Sequence, residues 1–104
     1  MKIDYDIKMK QHFIDRSRER IDPDLTMTEI KDYAIDALKY GLKIKEVKTG
    51  KLRRKLMDCQ KNYGYTSDAR IIDGLIFIFD IYTSTALTVY RVPWYATYEQ
   101  NYEG

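Results

Sequence analysis

An Asp73-Gly74 pair set between two apolar runs, Ile71-Ile72 and Leu75-Ile76-Phe77-Ile78-Phe79, constrains the fold of this chain more than any other feature. A two-residue turn that follows the twist of its flanking strands needs positive φ at both central positions, and Asp-Gly supplies it at little cost. The pair therefore predicts a tight antiparallel hairpin. The second run is apolar at successive positions, so as a strand it is apolar on both faces. Such a strand belongs in the middle of a sheet, covered by helices on one side. Thr83-Ser84-Thr85 reads as the next turn, and residues 86–92 as the last strand, stopped by Pro93. Alternation along that strand puts Thr88, Tyr90 and Val92 on one face and Leu87, Val89 and Arg91 on the other.

Upstream, the hydrophobic period changes from two to 3.6 residues. A first helix is expected from Ile7 to Asp22, where Pro23 disfavours helical geometry in the residue before it. Its apolar members Phe13, Ile14 and Ile21, with small Ser17, fall on one side. The second helix opens on Thr26-x-x-Glu29, a capping box, with Leu25 and Ile30 placed as a hydrophobic staple. Met27, Ile30, Ala34, Ala37 and Leu38 keep helical spacing, and Gly41 fits the left-handed position that closes a helix. Leu42 and Ile44 alternate like a short strand, and Thr49-Gly50 reads as a turn. Leu52, Leu56, Cys59 and Tyr63 recur at helical intervals, so residues 51–62 read either as a short basic helix ending at Gly64 or as a lysine-rich loop.

These elements predict an α+β domain in which two N-terminal helices pack on an antiparallel sheet of three to four strands. The 104 residues form one domain, with a core over about 7–92 and a basic insert over about 48–68. A Tyr-rich tail over 93–104 carries Trp94, Tyr95, Tyr98 and Tyr102, which are expected to pack back on the body or to stack on a ligand.

Composition narrows the function classes. At 44% hydrophobic and 33% charged residues the chain is of the folding, water-soluble kind. No stretch reaches the roughly 18 apolar residues of a membrane span. Residues 2–7 offer no signal-peptide apolar region, so a cytoplasmic protein without a membrane partner is expected. One cysteine, Cys59, excludes an internal disulfide and a Cys-based zinc site. With one histidine and no suitably spaced carboxylate cluster, neither metal nor cofactor is expected. Charge is unevenly spread: from Lys43 to Lys61 eight basic residues face two acidic ones, whereas from Asn62 onward two arginines face five acidic residues. A basic segment on a balanced domain is the footprint of a nucleic-acid binder, or else a solvated helix face. Lys51, Arg53, Arg54 and Lys55 are its densest part.

His12-x-x-x-Arg16-x-x-x-Arg20 is the motif closest to chemistry. Four-residue spacing stacks the three side chains along one stripe of a helix. Arginines clamp phosphate oxygens in bidentate fashion, and an imidazole moves protons near neutral pH. The bland alternative is surface pairing of Arg16 and Arg20 with Glu19 or Asp15, contacts worth about 0–1 kcal/mol.

The order of these parts, from the His-Arg-Arg stripe through Leu38-Lys39-Tyr40-Gly41 and the Asp-Gly hairpin to the final Leu87-Thr88-Val89-Tyr90-Arg91 strand, resembles a known family. It is a family of small bacterial and phage proteins of unknown function in the barnase–EndoU–colicin–RelE (BECR) ribonuclease-toxin clan. The resemblance covers roughly residues 9 to 92, and its motifs are short. The basic stretch from Lys48 to Asp68 and the tail after Pro93 depart from the family's pattern. The resemblance implies a RelE/barnase-like two-layer fold and metal-independent cleavage of RNA by attack of a 2′-hydroxyl on the adjacent phosphorus. It implies His12 as the proton-transfer group, Arg16 as the phosphate-binding cation, Arg20 as a second phosphate contact or an orienting partner for Glu19, and Thr88 and Tyr90 as hydroxyls near the phosphate. RNA is then the expected partner, alongside a protein inhibitor or a host protein target. The alternative is a catalytically silent, phage-type binding protein that inhibits a host nucleic-acid enzyme or defence system through its basic surface. A third reading uses the Tyr-rich tail for dimerisation.

Overall fold

The hairpin forms around Asp73 and Gly74, which take φ of 53° and 73°, both in the left-handed region that the turn requires. The computed structural model describes residues 7–47, 50–64 and 66–93. The elements run β1 (Lys8–Met9), α1 (Gln11–Arg20), α2 (Met27–Tyr40), β2 (Leu42–Lys43), a 3₁₀ turn (Ile44–Glu46), α3 (Gly50–Lys61), β3 (Ser67–Ile72), β4 (Leu75–Asp80) and β5 (Thr85–Arg91). They make one mixed five-stranded sheet in the order β1-β5-β4-β3-β2. The class is α+β, but with three α-helices and five strands among the described residues, where two helices and three to four antiparallel strands were expected.

β4 explains the difference. Leu75, Phe77 and Phe79 join a core with Phe13 and Ile14 of α1 and Ile30, Ala34 and Ala37 of α2. Ile76 and Ile78 point the other way, into a second core with Leu52, Leu56 and Cys59 of α3 and with Ala69 and Ile71 of β3. A strand apolar on both faces therefore has a layer on each face, not on one. The second layer is the basic helix, which resolves the helix-or-loop alternative for residues 51–62 in favour of a helix.

The first helix begins at Gln11, four residues later than a helical reading of the sequence gives. Lys8 and Met9 instead pair in parallel with Thr85 and Ala86, which is also why the sheet is mixed rather than antiparallel. The second helix forms with both halves of its capping box, Thr26 Oγ1 accepting from the Glu29 amide at 3.2 Å and Glu29 Oε1 accepting from the Thr26 amide at 2.9 Å. Gly41 departs from expectation: its backbone is extended (φ −68°, ψ 147°), not left-handed. What requires glycine is crowding, since a Cβ there would sit 2.5 Å from the Ala37 carbonyl oxygen and 2.8 Å from Arg70 Cβ. Arg70 itself is buried and ion-paired with Asp68.

β5 carries an irregularity that alternation could not reveal. Ile78 pairs with Thr88 but Phe79 pairs with Ala86, so Leu87 is an extra residue. The bulge moves Leu87 to the α3 side with Tyr90 and Val92, while Ala86 and Val89 face α1 and α2. The tail residues Trp94, Tyr95, Tyr98 and Tyr102 lie outside the described residues.

Candidate functional site

Along the His-Arg-Arg stripe burial rises from exposed His12 to half-buried Arg16 and Arg20, and helix geometry accounts for it. Four residues turn an α-helix by about 400°, so each step drifts about 40° around the axis. His12 is exposed, Arg16 is half-buried, and Arg20 has rotated onto the edge of the sheet. Arg16 Nη1 donates to Glu19 Oε2 at 2.6 Å, the pairing that the bland reading foresaw.

Arg20 does more. Among the described residues β1 pairs only with Thr85 and Ala86, and beyond them β5 is the outer strand of the sheet. Arg20 Nη1 donates to the Val89 carbonyl oxygen at 2.6 Å, satisfying an edge acceptor that has no strand partner among the described residues. The guanidinium then lies over the Tyr90 ring, 4.9 Å from its centroid. Guanidinium carries five N–H donors, so the bond to Val89 does not use up its capacity for an anion.

Tyr90 is reached from α3 as well. The Lys55 ammonium stands 6.0 Å from the same ring centroid. The Tyr90 hydroxyl is 3.4 Å from that of Tyr63, which follows α3 in the chain. Burial, the hydrogen bond to Tyr63 and the nearby Tyr63 and Cys59 push the Tyr90 phenol up to about 12, against the opposing pull of Arg20. Burial likewise raises the Cys59 thiol, with Lys55 opposing, Asp58 adding and Arg20 opposing. That Arg20, Lys55, Tyr63 and Cys59 all act at one tyrosine ties the end of α1 to α3 around the edge of the sheet.

From Lys55 the positive surface continues along α3. Lys51, Arg54, Lys55 and Asp58 line a cavity of about 320 Å³ along the helix. Arg53, Arg54 and Lys61 are exposed on its outer face. Burying Leu52, Leu56 and Cys59 fixes this arrangement: with one side of α3 held against the sheet, the remaining positions, mostly Lys and Arg, must face water.

Of the site residues expected from sequence, Arg20 and Tyr90 come together, and Lys55 joins them from the nucleic-acid-binding set. Lys51, Arg53 and Arg54 continue that surface. His12 lies at the far end of the stripe, eight residues or about 12 Å along the helix from Arg20. Thr88 is 1% exposed on the α3 side of the sheet, its Oγ1 buried without a hydrogen-bond partner among the described residues. Tyr63 was visible only as the last member of the periodic series in α3, and no local pattern links it to a strand 27 residues on. Among the described residues no three His, Cys, Asp or Glu side chains gather as a metal site, and no helix is long and apolar enough to cross a membrane. Compared with protein-family models, with curated proteins and with solved structures, the chain matches none of them.

Proposed function

We propose that the protein is an RNA-binding domain whose site is the basic band running from α1 to α3 across Tyr90. The observation that carries this reading is the convergence of Arg20 and Lys55, 35 residues apart in sequence, on one aromatic ring. Two basic motifs that look separate in the chain thereby become one surface. Such a band suits a phosphate backbone, because each neutralised phosphate releases condensed counterions and so contributes affinity.

The catalytically silent form of this reading has more support than the metal-independent endoribonuclease. In-line attack needs a proton carrier at each of two oxygens. His12 is exposed and could serve as one. The candidates for the second are Glu19, which is paired with Arg16, and Tyr90, whose phenol, near 12, stays protonated at neutral pH and is engaged with Tyr63. Arg20 is committed in part to holding β5.

The test mixes the full chain with labelled RNA in EDTA and reads binding and cleavage together. Binding without cleavage is expected, weakening as salt rises. Changing Arg53, Arg54 and Lys55 together to Gln should flatten the slope of log affinity against log salt by about 2, at about 0.7 for each contact to a single strand. Cleavage that disappears in a folded His12→Ala variant would restore the enzyme reading. Absence of binding even at low salt would contradict the RNA reading itself.

A further inference from the structure

We infer that the band is built for a single strand rather than a duplex, an inference that rests on the RNA-binding reading above. The first ground is its path. α1 packs on one face of the sheet and α3 on the other, as their separate cores require. The two basic surfaces meet only by turning around the β5 edge, where Arg20 reaches Val89 and Tyr90. The surface is therefore convex and sharply bent. A duplex has a persistence length of about 50 nm and cannot follow a corner a few nanometres across without a large deformation cost. A single strand bends freely, and can keep phosphates on Arg20 and Lys55 while reaching both arms of the band.

The second ground is chemical and independent of the path. Met57 is 56% exposed in the middle of the basic face of α3. Helical spacing puts Arg53, Arg54 and Lys61 around it, at four residues before, three before and four after. A thioether ringed by cations gives an unstacked base an apolar surface while its flanking phosphates meet the charges. A duplex hides its base faces and offers nothing to such a side chain.

The experiment measures fluorescence anisotropy of a labelled 12-nucleotide RNA, alone and annealed to its complement, titrated with the full chain at one low salt concentration. The single strand should bind at least tenfold more tightly. Met57→Ser should weaken single-strand binding roughly two- to tenfold, the range of thioether–ring contacts, and leave duplex binding unchanged. Equal or tighter binding of the duplex would overturn this inference while leaving the RNA-binding reading in place. Equal loss for both ligands in Met57→Ser, or no loss for either, would overturn the base contact. Binding of neither ligand would remove the underlying reading as well.

Discussion

Tyr90 is the residue on which the account turns, and its phenol offers a direct check. Removal from water and the hydrogen bond to Tyr63 hold it up to about 12, against an ordinary value of about 10. A group whose folded value is raised keeps its proton in the folded state after the unfolded chain has lost it. Its contribution to stability is therefore fully present below about pH 10 and is lost as pH rises through about 12. Thermal melts across pH 9 to 12 should show this loss in the native chain, and Tyr90→Phe should reduce its steepness, because the ring stays and the titrating hydroxyl goes. An identical alkaline profile in the variant would show that Tyr90 ionises freely. Sequence alone placed Tyr90 on a face of the last strand, but not which face. Its pairing with Ile76, which points into the α3 core, decides that, and no residue type in 86–92 announces it.

Among the elements, the junction between α2 and β2 separates a right residue from a wrong reason. Glycine after a helical run ordinarily signals a left-handed closing residue. Here Gly41 is extended and is needed because α2 ends against β3, with the Ala37 carbonyl and Arg70 in the space a side chain would fill. Gly41→Ala should therefore destabilise the chain by about 1–3 kcal/mol through crowding, read by urea denaturation. A left-handed glycine would give a similar loss for Ala but tolerate Asn, so Gly41→Asn should be at least as damaging as Gly41→Ala. A clearly better-tolerated Asn would contradict the crowding argument. The capping box and the Asp-Gly hairpin were legible because each is decided by neighbouring residues. The edge strand β1 and the second helical layer were not, because both are decided by partners distant in the chain. Ile76 and Ile78 did signal a buried second face, but no local pattern names the element that covers it.

At the scale of the whole molecule, a sheet with helices on both faces brings together charges that the sequence keeps apart. The His-Arg-Arg stripe and the basic helix were each visible as motifs. That they share an edge follows only from the topology: α1 runs beside β5, α3 covers the opposite face, and the short β1 leaves the stretch around Val89 for Arg20 to hold. On the reading proposed above, these two helices form one RNA site. Backbone amide chemical shifts followed during titration with a short single-stranded RNA test it most directly. One saturating process should move the signals of Arg16 and Arg20 together with those of residues 51–61, with Tyr90 between them. Shifts confined to α3, or two processes with different midpoints on α1 and α3, would contradict it.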